Sequence, residues 1–131
     1  IHSYPRESLK DDVCSPARIK NMLEKYPNVR VSVAHLGGFQ YAELIDTNTY
    51  VNISAILTDL VERCNLEETN KILRSFGVDR LVFATDYPDN RRLEAKVIYD
   101  KYIELLGMMD FTEEEAEKIC MFNAEKMIQK L

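Results

Sequence analysis

The residues of this chain best suited to chemistry are His35 and Asp86, and each lies just after a short apolar run. His35 follows the β-branched run 29–34 and precedes Leu-Gly-Gly, whereas Asp86 follows the run 80–84 and precedes Tyr-Pro. Both runs are typical of buried strands that end in turns. In proteins built from alternating strands and helices, functional groups lie at the carboxyl ends of the strands. We therefore interpret both residues as candidate catalytic groups.

The chemistry expected of His35 is proton transfer or metal binding. A neutral imidazole can hold a metal or exchange a proton near neutral pH, and the two glycines nearby let the backbone approach a ligand closely. The alternative is a core histidine that is hydrogen-bonded to a carbonyl group, with the glycines serving a tight turn. The residues alone leave both interpretations open.

Asp86 and His2 have alternatives of their own. The carboxylate of Asp86 suits a metal or a water, but turn and cap aspartates are common where Asp, Pro and Asn cluster. His2, the other histidine of the chain, follows a single apolar residue, which is too short to define a strand, and terminal residues are often exposed. Tyr4, Arg6 and Tyr87 lie on predicted loops and are candidates for lining a substrate pocket.

Composition and charge exclude several classes of function. The 131 residues carry a formal net charge of −5 without a basic stripe, which argues against a nucleic-acid partner. No apolar run is long enough to span a bilayer, and no signal peptide is recognisable. The three cysteines are widely spaced and lack a Cys-x-x-Cys pair, which argues against a disulfide framework or a zinc knuckle. We predict a cytoplasmic protein that acts on a small molecule and has no membrane partner.

The elements that must position these residues alternate along the chain. Helix-cap patterns occur at Ser15-Pro16, at Asn65 with Glu68, and at Thr112 with Glu115. The predicted strands are 29–34, 50–53 and 80–84. The predicted helices are 16–26, about 39–46, 66–76, about 92–106 and a C-terminal helix from 113 that is divided near Asn123.

Strands that alternate with helices predict an α/β fold with parallel pairing and right-handed crossovers. Three strands and a stub at Ile1 are too few for a closed barrel, which takes eight strands and about 250 residues. The chain is therefore either a small open α/β unit or the second half of a barrel. It begins at Ile1 without a methionine, from which we expect a preceding segment, and this favours the half-barrel.

Four segments carry a resemblance to a known family: 34–38, 50–54, 76–88 and 122–124. They resemble the C-terminal half of the amidohydrolase-related family, which includes metal-dependent hydrolases and decarboxylases such as aminocarboxymuconate-semialdehyde decarboxylase. The resemblance runs over nearly the whole chain. It implies that residues 1–131 form the C-terminal half of a (β/α)8 TIM barrel whose first strands are absent from this chain, with a metal site at the C-terminal face.

The resemblance also implies roles for the candidate residues. His2 would end the fifth strand as a metal ligand. His35 would end the sixth strand as a proton-transfer or substrate-polarising residue, or as a second-metal ligand. Asp86 would end the eighth strand as a metal ligand and as the base toward the metal-bound water. The implied cofactor is a divalent metal, which we expect to be zinc.

The His-x-His pair that the family has on its first strand is absent from this chain. We therefore expect the chain alone to be inactive or weakly metal-binding, and the whole protein to be the enzyme. The first expectation is a hydrolase that uses a metal-activated water to attack a carbonyl-type bond. The alternatives are a nonoxidative decarboxylase on the same fold and a non-catalytic α/β fragment that self-associates through an open sheet edge into a homo-oligomer.

Overall fold

The computed structural model describes residues 1–5, 12–88 and 93–129. These residues form a three-stranded sheet with the order β1 (Ser32–Val33), β2 (Tyr50–Asn52), β3 (Leu81–Val82). Val51 pairs in parallel with Val33 on one side and with Leu81 on the other. The parallel α/β arrangement predicted from the sequence is therefore confirmed.

Helices connect and cover this sheet. The described helices are α1 (Pro16–Lys25), α2 (Ile56–Cys64), α3 (Leu66–Phe76), α4 (Ala95–Gly107), α5 (Glu113–Glu117) and α6 (Asn123–Ile128). The other helical segments are an irregular 3-10 segment (Ala34–Leu44) with non-helical backbone at residues 35–38, a 3-10 turn (Val78–Arg80) and a π-helical turn (Lys118–Phe122). None of the described helices combines the length and apolar character that a membrane span requires.

The predicted helices α1 and α3 are confirmed and end within a residue of expectation. The helix predicted at about 39–46 is instead the end of the 3-10 segment, which stops at Leu44 and has non-helical backbone at Gln40. α4 begins at Ala95 rather than near 92, a position that lies outside the described residues. The π-helical turn ends where α6 begins, so the predicted division at Asn123 is also confirmed.

Helix α2 is the described α-helix that the sequence analysis missed. Its residues Ile56, Leu57 and Leu60 recur at helical spacing and are buried. Its start lacks a cap signal, because Ala55 precedes it with φ 55° and no capping side chain. The apolar spacing was the signal that could have found it.

Two capping boxes were predicted, and the one at the start of α3 is incomplete because α2 ends directly before it. The Oδ1 atom of Asn65 accepts a hydrogen bond from the Glu68 N–H at 3.0 Å. The N–H of Asn65 is already bonded to Val61 O at the end of α2, so only this half of the predicted box is observed. At Thr112 both halves form, with Glu115 N–H donating to Oγ1 and Glu115 Oε2 accepting from Thr112 N–H.

The strands are shorter than predicted. Hydrogen bonding toward β2 begins at Val31, whose carbonyl accepts from Tyr50 N at 3.0 Å. Val29, at the start of the predicted strand 29–34, is exposed. The chain also leaves the extended conformation at His35, where φ is 62°. The ladder is thus limited at both ends of β1.

The N-terminal stub lies beside β1. The N-terminal nitrogen of Ile1 donates to Ser32 O at 2.6 Å, and Ala34 N donates to Ile1 O at 2.8 Å. Bonds to the residues before and after the same position are the pattern of a parallel ladder. Ile1 therefore continues the sheet and brings His2 next to the end of β1.

The outer edge of β3 is covered by the C-terminal helical segment. Phe83 N donates to Ile119 O at 2.8 Å, in the π-helical turn. The fully buried side chain of Asn123 donates to Leu81 O at 2.8 Å and to Val78 O at 2.7 Å. These bonds use backbone groups that would otherwise be open to another strand.

Candidate active site

The three candidate residues lie together at the carboxyl end of the sheet. The Nδ1 atom of His2 is 3.1 Å from Nε2 of His35, and their rings meet edge to face. The Oδ1 atom of Asp86 is 3.9 Å from the same Nε2 atom. One side chain from beside β1, one from after β1 and one from after β3 therefore share one space. Their proposed roles stay predictions.

The members of this cluster differ in exposure. His35 is 3% exposed, whereas His2 is exposed and the side chain of Asp86 is 41% exposed. His35 thus forms the buried end of the cluster, and His2 and Asp86 border the solvent. The Nε2 atom of His35 faces these two residues.

The other ring nitrogen of His35 is bonded within the protein. Nδ1 lies 2.8 Å from Ser54 O and 2.9 Å from Ser54 Oγ. A carbonyl oxygen can only accept, so Nδ1 carries a proton. In the neutral ring the lone pair is then on Nε2, which points toward His2 and Asp86. The histidine is bonded to a carbonyl, as the alternative interpretation required, and its second nitrogen contacts His2 within the cluster.

The backbone that carries His35 is left-handed over four residues. The φ angles are 62° at His35, 54° at Leu36, 86° at Gly37 and 64° at Gly38. L-residues adopt this region at a cost of about 1–2 kcal/mol each. A Cβ atom on Gly37 would lie 2.8 Å from Pro16 Cγ, so the turn admits only glycine there.

Left-handed backbone recurs after the other two strands. Ala55 follows β2 with φ 55°, and Asp86 follows β3 with φ 65°. Strained backbone of this kind is concentrated at functional sites in many proteins. Four of the five described non-glycine residues with positive φ follow the strands at the edge of the sheet where the His-Asp cluster lies, and the fifth, Asn65, caps α3.

Two residues that surround His35 were not predicted from the sequence. Asn52 and Ser54 flank Ile53 at the end of β2 and contact His35 directly. The strand-end argument that selected His35 and Asp86 applies equally to this exit, and it was the signal that could have found them.

The predicted pocket residues have different outcomes. The Tyr4 ring packs edge-on against the His35 ring, with centroids 5.6 Å apart, and its hydroxyl donates to Asp59 Oδ2 at 2.6 Å. Tyr87 is exposed, and Arg6 lies outside the described residues. Tyr4 is thus the one of the three that the structure brings against the cluster.

Cys14 lies on the loop after the stub and is not suited to nucleophilic attack. Its thiol donates to Asp12 Oδ1 at 3.1 Å. Burial, followed by this hydrogen bond, raises the pKa of the Cys14 thiol. Because the thiolate is the reactive form, the raised pKa makes this cysteine less reactive than an ordinary one.

The side chains of the cluster are of the types that bind zinc, but they are too few for a complete zinc site. Imidazole nitrogen and carboxylate oxygen are zinc ligands, and two ligands of a tetrahedral zinc lie about 3.3 Å apart. The 3.1 Å between the nitrogens of His2 and His35 is close to that spacing. Residues 1–5, 12–88 and 93–129 nevertheless contain no group of three or more His, Cys, Asp or Glu side chains arranged to hold a metal. A closed site would need further ligands.

A sequence model of the amidohydrolase family matches residues 12–129. The chain therefore belongs to the amidohydrolase family. No curated protein gives a significant match. The family membership supports an enzyme of the amidohydrolase type.

A solved structure shows the same fold. It is a Pseudomonas putida protein that carries the provisional name 2-pyrone-4,6-dicarboxylic acid hydrolase. The TM-score is 0.64 at 15% sequence identity, over 86% of this chain and 48% of that one. The chain thus spans about half the length of the structure it matches. Its parallel α/β fold corresponds to a fragment of an amidohydrolase TIM barrel.

Proposed function

We propose that this chain is the C-terminal half of the catalytic domain of a metal-dependent hydrolase, in which water attacks a carbonyl carbon of a small molecule. The observation that carries the proposal is the convergence of His2, His35 and Asp86 at the carboxyl end of the sheet. Family membership supports the same reaction class. The half-barrel assignment draws support from the coverage of about half of a related structure.

His2 and Asp86 are the residues that would hold the metal, for which we propose zinc. A bound divalent ion supplies a Lewis acid and an activated water. Both side chains reach the solvent side of the cluster, where an ion and a substrate could enter. The ligands that complete the site would come from strands outside this chain.

His35 is suited to proton transfer. Its neutral ring carries the proton on Nδ1, so Nε2 can accept a proton but cannot donate one. During hydrolysis water adds to the carbonyl carbon, the bond to the leaving oxygen or nitrogen breaks, and one proton passes from the water to the leaving atom. Nε2 is placed to accept that proton and to release it to the leaving atom.

Asp86 has a second role in this proposal. Its carboxylate faces the same space as Nε2 of His35 at 3.9 Å, and it can accept a hydrogen bond from the attacking water. Asp86 would thereby orient the water, while His35 moves the proton. Such positioned proton transfer contributes about 10²–10⁴-fold to a rate.

The edge of β3 is partly covered, which argues against self-association of the chain through this edge. The hydrogen bonds from Phe83 to Ile119 and from Asn123 to Leu81 occupy part of that edge. The opposite edge of the described sheet is the single residue Ile1. A homo-oligomer stays a prediction that the mass of the native protein can test.

The test is an assay of the full-length protein after metal depletion and zinc addition. Lactones and aryl esters probe hydrolysis, and an enoic or aromatic acid probes release of carbon dioxide. We expect zinc-dependent hydrolysis that falls at least about 100-fold in His35→Gln and Asp86→Asn. Asp79→Asn is the matched control, because Asp79 is an exposed aspartate at the other end of β3.

Two results would decide against this proposal. Release of carbon dioxide without hydrolysis would assign the chain to the decarboxylases of the same fold. Hydrolysis that survives in both His35→Gln and Asp86→Asn would remove the cluster from the mechanism.

A further inference from the structure

We propose that Asn52 is a positioning residue for His35: its side-chain oxygen keeps the ring proton on Nδ1 and the Nε2 lone pair in the cluster. The inference rests on the proposed function, because proton transfer at Nε2 is what this arrangement would serve. Asn52 is the last residue of β2, and His35 lies two residues after β1. The residue thus joins two neighbouring strand ends.

One oxygen atom of Asn52 accepts three hydrogen bonds. Oδ1 lies 3.1 Å from His35 N, 3.2 Å from Ser54 N and 2.6 Å from Ser54 Oγ. Two of these partners are backbone N–H groups, which can only donate. The atom facing them must therefore be the oxygen of the amide, not its nitrogen, and the orientation of the Asn52 side chain is fixed.

The third bond determines the direction of the Ser54 hydroxyl. A hydroxyl has one proton, and the 2.6 Å contact with Asn52 Oδ1 uses it. Ser54 Oγ then presents only lone pairs to Nδ1 of His35, at 2.9 Å. The Ser54 carbonyl presents another lone pair at 2.8 Å. With two acceptors around it, Nδ1 must be the protonated nitrogen of the neutral ring.

Asn52 also holds the backbone that carries the ring. His35 has φ 62° and Ala55 has φ 55°, so the chain is left-handed or otherwise strained on both sides of the contact. Bonds from His35 N and Ser54 N to one oxygen fix both turns relative to each other. Loss of that oxygen would remove a hydrogen bond both from Ser54, which contacts the His35 ring, and from the turn that carries His35.

The test is the tautomer of His35, read from the nitrogen resonances of the ring. A ¹⁵N-labelled sample of the full-length protein shows every histidine ring, and the ring resonances that are absent from a His35→Gln sample are those of His35. Spectra are recorded on metal-free protein at alkaline pH, because a tautomer is defined only for the neutral imidazole. We expect the His35 ring to be protonated at Nδ1 and bare at Nε2.

Variants then test whether Asn52 determines the tautomer of His35. Asn52→Leu frees the Ser54 hydroxyl to donate to Nδ1 and removes the bonds that hold Ser54 and the His35 turn together. We therefore expect the Nδ1–H form to lose population to the Nε2–H form, with the two His35 nitrogen resonances moving toward each other. Asn52→Asp keeps an oxygen acceptor and should retain the wild-type pattern. Thr49→Val is the matched control, because it removes a buried hydrogen bond from the same region of the chain, to Val31 O, at the opposite end of β2.

The outcomes separate this inference from the proposed function. A wild-type ring protonated at Nε2, or an Asn52→Leu spectrum identical to wild type, would overturn it even if the enzyme hydrolyses esters. The expected tautomers would support it even if no hydrolysis were found. Should Asn52→Leu not fold, Asn52→Ser is the substitute, since its shorter side chain cannot reach all three donors.

Discussion

The exits of β1 and β3 carry the same unusual backbone but hold their side chains differently. His35 and Asp86 have φ angles of 62° and 65°. His35 is buried, with its backbone N–H and both ring nitrogens in polar contacts. Asp86 is 41% exposed, and its close polar neighbour among the described residues is Nε2 of His35 at 3.9 Å.

This difference indicates that folding by itself fixes the position of His35 but not that of Asp86. The β1 exit is built by bonds within the chain, so its side chain is preorganised before any reactant arrives. The β3 exit presents a carboxylate that borders the solvent, with its close polar contact to His35 at 3.9 Å. Substitutions at the first exit should therefore affect stability and activity together, and those at the second should affect activity alone.

The largest effect on stability is expected from Gly37→Ala. A Cβ atom there would meet Pro16 Cγ at 2.8 Å and Leu44 Cδ1 at 2.9 Å, at φ +86°. Overpacking and unfavourable backbone together should lower the free energy of unfolding by about 3 kcal/mol. Urea unfolding at equilibrium measures this change.

Gly77→Ala is the control for that experiment. Gly77 has φ +83°, but a Cβ atom there would meet nothing within 4 Å. The cost should be the backbone term alone, about 1–2 kcal/mol. Equal losses in the two variants would show that the turn after β1 is not tightly packed, and the contrast between the exits would fail.

A smaller change in the free energy of unfolding is expected when the same substitution is made at each of the two strand exits. His35→Asn and Asp86→Asn install the same residue, which tolerates left-handed backbone. His35→Asn removes a buried, hydrogen-bonded ring and should lower the free energy of unfolding by about 2 kcal/mol. Asp86→Asn should change it by less than about 0.5 kcal/mol. Thermal or urea unfolding of both variants tests the comparison, and similar losses would contradict it.

The smallest effect is expected far from both exits, at Arg74 on α3. Its guanidinium donates to Glu115 Oε1 at 3.1 Å and Oε2 at 3.2 Å, and these bonds lower the pKa of the Glu115 carboxyl. A carboxyl with a lowered folded-state pKa stabilises the fold above its ordinary pKa and loses that contribution as the pH falls through the lowered value.

Arg74→Gln should therefore be less stable than wild type near neutral pH, and the difference should shrink at low pH to what the Arg74 contacts with Asp110 O and the Phe111 ring leave. Urea unfolding at about pH 7 and about pH 3 measures it. Lys101→Gln is the control, because Lys101 pairs with Glu104 on the exposed surface of α4. A difference that grows as the pH falls would contradict the sign.

Much of the helical framework was predictable because local signals decide it. The cap at Thr112 and the end of α3 at Gly77 follow from residue types alone. Helix α2 was missed because Ala55, which precedes it, supplies no cap and because Asn65 follows it directly as the cap of α3. There the packing of its apolar face, rather than a terminal signal, determines the helix.

The site was predictable only in part. The strand-end argument selected His35 and Asp86, since it needs only an apolar run and a turn. The contacts of Asn52 and Ser54 with His35 depend on β1 and β2 being neighbours in register, which no local pattern encodes. The left-handed backbone of His35 and Leu36 was likewise not predictable, because both residues ordinarily avoid it.

The most direct test of the central claim is the zinc content of the full-length protein after exhaustive dialysis. We predict that the wild-type protein retains zinc and that His2→Ala and Asp86→Ala bind it at least about tenfold more weakly. Asp79→Ala, which changes an exposed aspartate at the other end of β3, should bind as the wild type does. Unchanged zinc binding in both His2→Ala and Asp86→Ala would contradict the assignment of this cluster as a metal-dependent active site.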